Sequence, residues 1–533
     1  MKDQKMHWMN ARTMMMTLAA ILATGSIWLC SDLAAAPKGK KLRAKPAPQA
    51  ATADAIKAAI EALEHKFGDK YDGEGFLKKL AAATTPEALA AVQRAALVTA
   101  NPYFAGKEIL YVVRKQYRSD HHNTATLFMK TEINVNSFVG GGSMKAFDIA
   151  TGKTRMLVDS PTGVVRDPDV SYDGKKVLFS WRKSKADEYH IYEMSSDGSG
   201  VKALTTHPEV ADIDPIYMPD GDIVFTSTRE PKYCMCNVHI MANLYRMKPD
   251  GANIHQIGRS TLFEGHPAVL PDGRIIYDRW EYVDRNFGDA QGLWVVNPDG
   301  TNHAIYYGNN TPSPGGVIDP RPIPGSKKIV AIFGSCHDRP WGALAIIDRT
   351  KGVDGKAPVV RTWPASAKDL VRDAGKANSA WDTFKKVKPR YEDPMPLDEN
   401  FILVSRQVTP GRGEVMGLFL VDTFGNEILI HTEGAGCYDP MLIAARPKGH
   451  PLALHRDYNG KNGRFYVMDV HEGTHMEGVK PGDVKFLRVC ETPAKLAWTI
   501  TKWGGQGVHR PAMNWHDFSS KRVLGTVPIE SDG

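Results

Sequence analysis

Cysteine is scarce in this chain: six among 533 residues, too few to staple a body of that size with disulfides. The fold must stand on a hydrophobic core, for which an apolar content of 42% is ordinary. Charge of one sign is lacking too. The formal net charge is only +7, and Lys38, Lys40, Lys41, Arg43 and Lys45 supply five positive charges in one short stretch. Nucleic-acid binding needs a basic face on a folded element, so that role is not expected. No Cys-x-x-Cys-His occurs, which excludes covalent haem attachment to this sequence. A Gly-x-Ser-x-Gly elbow, a phosphate loop and a dinucleotide fingerprint are all absent, removing common hydrolase and nucleotide signatures, and no His-Glu-x-x-His zinc-peptidase motif is expected either. Beyond Leu29 no apolar run is long enough to cross a bilayer.

What is there begins with an export signal. Lys2, Lys5 and Arg12 precede the apolar stretch Met14 to Leu29, and Ala34-Ala35-Ala36 supplies small residues for cleavage. A cleaved signal over residues 1–36 and a periplasmic or secreted location are expected, with a retained N-terminal anchor as the alternative. Loss of Cys30 leaves Cys234, Cys236, Cys336, Cys437 and Cys490, an odd set that requires a thiol, a metal ligand or an intermolecular bond. Residues 37–50 read as a disordered basic Pro/Ala linker. Residues 51–100 read as helical: Ile56, Ile60 and Leu63 share one helix face, and Thr85-Pro86 is a helix start.

From Ile109 the chain is strand-rich and repetitive. Pro219-Asp220-Gly221 and Pro271-Asp272-Gly273, with Tyr172-Asp173-Gly174 as a variant, each precede a short apolar run. An Asp-Gly turn between apolar runs is a strong hairpin signal, and its recurrence at blade-length intervals predicts stacked four-stranded sheets. Seven related units are expected, the first beginning at Glu108. Asp167-Pro168, Asp214-Pro215, His266-Pro267, Asp319-Pro320 and Asp393-Pro394 open the next five, and Asp439-Pro440 opens the last. A second signature, such as Ile191-Tyr192 before Asp197-Gly198, marks a later tight turn in each unit. Residues 362–392 are an insertion expected on one rim. Residues 485–500 and 508–529 are expected either to complete the first unit or to belong to a further domain.

The most unusual local sequence is Cys234-Met235-Cys236-Asn237-Val238-His239, in a rim loop directly after a Pro-Asp-Gly strand. Two thiols and an imidazole so close together suit zinc or copper. The alternative is inert packing, or a disulfide to Cys336. Ser335-Cys336-His337-Asp338 holds the matching place in another unit. Because blades are related by rotation, His122, Cys234, His239, Glu281, His337 and Arg406 are expected to converge on one mouth.

Across roughly residues 109–470 the repeat resembles the TolB-like, or PD40, propeller family. More narrowly, Thr226 to Cys236, Asp278 to Asn286, Pro320 to Ser326, Cys437 to Met441 and Arg510 to Asp517 resemble the hydrazine synthase alpha-subunit family. That resemblance implies a propeller followed by haem-bearing domains, with a propeller cysteine helping to bind zinc near a haem. Cys234, Cys236 and Cys336 are the positions onto which that cysteine would carry over. Val523 to Gly533 resembles the opening of the middle domain, so residues 476–533 are expected to start a C-terminal β domain that stops before any haem motif. Without covalent haem, the hydrazine-forming reaction is not implied.

The expectation is a mainly β protein: a β-propeller of six or seven four-stranded blades over residues 105–475, with a small N-terminal helical region. Its expected role is a metal-binding or haem-partnered component of a periplasmic redox complex, or an enzyme whose reaction the sequence does not name. Zinc is expected at Cys234, Cys236, His239, Cys336 and His337, with other subunits or cytochromes as partners. A non-catalytic TolB-like interaction scaffold is one alternative. A polysaccharide-active propeller is the other, although no carboxylate pair marks it.

Overall fold

The computed structural model describes residues 52–529 except 119–121, 125, 133–134, 236–237, 282–290, 374–379, 409–413, 458, 463–464, 466, 474 and 497–520. The expected signal and linker lie outside the described residues. Among the described residues, six four-stranded antiparallel sheets are present, two of them joined by the single pair Gly342 and Tyr391. Their first strands are Cys437–Ile443, Val164–Val170, Asp212–Tyr217, Glu264–Val269, Gly316–Pro322 and Tyr391–Pro396. Each of these touches the next in that order, and the last touches the first, so they line a common axis. The architecture is a β-propeller. No helix of the described residues is long and apolar enough to cross a membrane.

Strand alternation explains why the strands read as nearly continuous apolar runs. Val177 and Phe179 face the first sheet while Leu178 faces the third; Ile223 and Phe225 pack toward the second sheet while Val224 packs toward the fourth. Both faces of a blade are buried, so both sets of alternate residues must be apolar. The Pro-Asp-Gly turns are hairpins between first and second strands. Gly174, Gly221 and Gly273 have φ of 75°, 98° and 88°, a left-handed conformation that side-chain-bearing residues rarely adopt. Asp173, Asp220 and Asp272 each accept a hydrogen bond at 3.1 Å from the amide two residues on, which fixes the turn.

The residues before the repeated prolines form a ring about the axis. Asp167, Asp214, His266, Asp319, Asp393 and Asp439 have φ between 46° and 53°, each at a bulge in its strand. A left-handed residue with a side chain costs about 1–2 kcal/mol. Part of that cost is offset by side chains that cap the next blade. Asp167 accepts from the Asp214 amide at 3.2 Å, Asp214 from the His266 amide at 3.0 Å, and Asp393 from the Asp439 amide at 3.0 Å.

One sequence expectation is corrected here, and one open alternative is narrowed. Asp439-Pro440 does not open a seventh unit: its strand pairs with Glu108–Arg114 and becomes the innermost strand of the first sheet. That pairing leaves no open edge at the seam, the physical reason for closing a ring with its final strand. Nor does the later segment close the ring. Phe486–Glu491 pairs with Arg522–Pro528 in a separate two-stranded sheet whose second strand is exposed throughout.

The helical region forms as its pattern predicts. Ala53–Phe67, Gly73–Ala82 and Pro86–Arg94 are α-helices capped by Thr52, Asp72 and Thr85. Ile56, Ile60 and Leu63 are buried in one cluster with Leu418, Leu420 and Ile430 of the sixth sheet and Ile109 and Tyr111 of the first. The helices therefore pack over the seam where the two sheets meet.

Candidate functional site

The loops between second and third strands emerge where the innermost strands begin, since Asp212 pairs with Ser227 at that end. Rotation about the axis brings these loops together, and three of them meet at His122. Its Nδ1 lies 3.5 Å from Cys336 Sγ, and its Nε2 lies 3.8 Å from Cys234 Sγ. His337 joins them: ligand atoms of His122, Cys336 and His337 all lie within 4.8 Å of one another. His122, Cys234 and Cys336 are buried and His337 is partly buried. No disulfide links Cys234 to Cys336.

Each group is held from behind. Asn123 donates from its backbone amide to the Cys336 carbonyl at 2.9 Å, and its side chain donates to Gln291 at 2.8 Å and the Ser335 carbonyl at 3.0 Å. Gln291 donates to Cys336 Sγ at 3.6 Å. The Trp280 ring packs on the His122 ring with centroids 4.1 Å apart. His337 Nδ1 lies 3.3 Å from Asp382, and its ring meets Trp381 edge-on at 5.7 Å. Asp382 and Trp381 come from the predicted insertion, whose described residues include two short 3-10 turns.

The loop carrying Cys234 is anchored at both ends. The Cys234 amide donates to the His239 carbonyl at 2.8 Å, and Lys495 Nζ donates to the Met235 carbonyl at 2.8 Å. Lys232 is buried against Asn243 and the Ser260 carbonyl, and burial lowers its pKa.

The structure thus brings together His122, Cys234, Cys336 and His337. His239 is buried close by, its ring centroid 6.3 Å from that of His122. Cys236 lies outside the described residues. Glu281 is paired with Arg279 at 2.6 Å. Arg406 is engaged elsewhere, bound to Glu427 at 2.6 Å and lying over the Phe419 ring. Sequence reasoning missed Asn123, Gln291, Asp382 and Lys495, whose roles follow only from contacts between segments far apart in sequence.

The expectation of no His-Glu-x-x-His motif is corrected by His471-Glu472-Gly473-Thr474-His475, which carries the letters of that zinc-peptidase pattern. That motif works on a helix, where the two histidines share one face. Here the described residues form turns and bends, with His475 at a φ of 69°, so the spacing has no such consequence.

The chain resembles known β-propellers. Hydrazine synthase from Kuenenia stuttgartiensis is 18% identical with a TM-score of 0.48, over 65% of this chain and 48% of that one. TolB from Acinetobacter baumannii is 14% identical with a TM-score of 0.41, over 67% and 72%. An oligogalacturonate lyase in complex with manganese is 13% identical with a TM-score of 0.33, over 52% and 71%. The chain spans about half the length of the hydrazine synthase chain it matches. No protein-family model and no curated protein matches the sequence.

The rim tolerates little movement. A Cβ on Gly315 would lie 1.9 Å from the Trp381 carbonyl oxygen, the same oxygen that accepts from the Cys336 amide at 3.0 Å. Gly315→Ala is expected to push Trp381 aside, lowering stability by about 1–3 kcal/mol in urea unfolding and displacing Cys336.

Proposed function

We propose that His122, Cys336 and His337 hold a borderline transition-metal ion, zinc first, in an exported propeller that serves a periplasmic redox complex. The observation that supports this is one thiol and two imidazoles gathered, largely out of solvent, within 4.8 Å. Zinc takes Cys sulfur at about 2.3 Å and His nitrogen at about 2.0–2.1 Å, which a small inward shift of these groups would satisfy. His122 would bind through Nδ1, since Nε2 faces Cys234. His337 would bind through Nε2, since Nδ1 faces Asp382. Cys234 and Asp382 then orient the two imidazoles, the usual role of groups behind a metal ligand. Three protein ligands would leave a fourth position open to water, substrate or a partner's group, as in catalytic zinc sites. The redox partner rests on the family resemblance of the rim motifs alone.

Metal analysis after dialysis against zinc tests this reading. Wild-type protein is expected to carry one zinc per chain, and Cys336→Ser essentially none. Cys234→Ser is expected to keep a site weakened by about 10–100-fold. Cobalt substitution adds a thiolate-to-metal absorption band in the wild type that Cys336→Ser lacks. Equal, near-zero metal in the wild type and all variants would remove the proposal.

A further inference from the structure

At the other end of the axis, where the innermost strands finish, lies a cavity of about 360 Å³. Its wall is mostly apolar: Ile216, Leu270, Ile323, Met395 and Met441, with a prolines' rim from the repeated motifs. After the closing strand the segment 446–450 crosses this end as a strap, tied by the Arg446 amide donating to the Tyr172 carbonyl at 3.0 Å.

The charged and titratable groups at this cavity divide into three kinds, of which Lys448 and His450 lie exposed on the strap. The arginines are already engaged. Arg446 grips Asp169 with distances of 2.7 and 2.8 Å and lies over the Tyr172 ring, and Arg321 pairs with Asp319 at 3.1 Å. Asp393 and Asp439, which reach the cavity from its axial end, make no ion pair among the described residues, although Arg166 and Arg321 act on Asp439 from further off. Asp393 accepts only from the Asp439 amide at 3.0 Å and Ser405 at 3.3 Å. Arg114, whose charge acts on both, is held by Glu392 at 2.9 Å. Both aspartate side chains are partly exposed, and a cationic group placed directly against them would supply the ion pair they lack.

We infer that this cavity binds a small ligand with an apolar body and a single cationic head, the body against Ile216, Leu270 and Met441 and the head on Asp393 and Asp439. An apolar enclosure with a few convergent polar groups is the usual form of a small-molecule site. Burial raises both carboxyls, helped by the Asp439 and Glu392 charges at Asp393 and by the Asp167 charge at Asp439, and outweighs the opposing effect of Arg114 and Arg166. The inference is independent of the metal site at the opposite end of the axis.

Calorimetric titration of the full chain with 4-phenylbutylamine, 4-phenylbutanol and 4-phenylbutyrate isolates the head group. The amine is expected to bind saturably, one per chain, and the acid at least about tenfold more weakly. The double variant Asp393→Asn/Asp439→Asn is expected to bind the amine no better than the alcohol, and circular dichroism checks that it folds. Methyl resonances of Met395 and Met441 are expected to shift on titration, which locates the ligand. The inference falls if the acid binds as tightly as the amine, if no probe binds saturably, or if binding leaves those methyl resonances unmoved.

Discussion

Arg114→Met is expected to lower the stability of this protein by about 3–5 kcal/mol in urea unfolding, a large share of the 5–15 kcal/mol typical of a folded chain. Arg114 ends the strand Glu108–Arg114 of the first sheet and meets Glu392 of the sixth at 2.9 Å. Both side chains are at most 4% exposed, so the pair is fully desolvated. Its guanidinium lies 3.6 Å from the ring centroid of Tyr438 on the closing strand and 4.1 Å from that of Tyr117. One cation thus ties together the three elements that meet at the seam. Methionine fills much of the volume but leaves the Glu392 charge buried with only Gln116 donating to it, at 2.7 Å. The loss comes mainly from that stranded charge rather than from the missing attraction. The double variant Arg114→Met/Glu392→Met should therefore recover much of the stability. If it is as unstable as the single variant, lost packing is responsible and the charge argument fails.

The second large effect is a fall in stability as pH rises. Burial and the neighbouring Asp167 charge raise both Asp214 and Asp439 to about 7. Burial works against a charged His266, but Asp278 at 2.6 Å and Asp214 outweigh it and raise the imidazole to about 10. In the folded state all three groups hold protons that the unfolded chain releases. A raised carboxyl pKa lets stability fall between the ordinary carboxyl range and about 7; a raised histidine lets it fall between about 6.5 and about 10. Both act in the same direction. Asp167 is held below its ordinary value despite burial, by Arg166 at 2.7 Å, and opposes this trend only at acidic pH. The midpoint of thermal unfolding is expected to drop steadily from about pH 5 to about pH 9. Asp439→Asn keeps the shape and removes one ionisation. It should be more stable than the wild type by roughly 1–3 kcal/mol near pH 8 and equal to it near pH 4. A variant whose pH profile runs parallel to the wild type would show that Asp439 does not titrate in this range.

The repeat was legible because each of its letters has a backbone consequence. Gly174, Gly221 and Gly273 sit where φ is positive, and the residues before the repeated prolines sit at the six bulges. The seam was not legible. Asp439-Pro440 looks like its five counterparts, and nothing local distinguishes a strand that opens a blade from one that completes the first. At the rim, Cys336-His337 and Cys234 stood out by residue type alone. Asp382 did not, because an aspartate in an insertion is unremarked until it lies 3.3 Å from His337. That Cys234 faces the second nitrogen of His122 was likewise invisible in the sequence.

By itself the sequence determined the blades, their hairpins and the helical segment, since turn chemistry and strand alternation act over a few residues. Only the tertiary structure decided which strand closes the ring, which of the rim residues meet, and that carboxylates and prolines of the same motif enclose a cavity at the far end. Those outcomes depend on where rotation about the axis brings loops separated by more than a hundred residues, as with His122 and Cys336, and no local pattern encodes that distance.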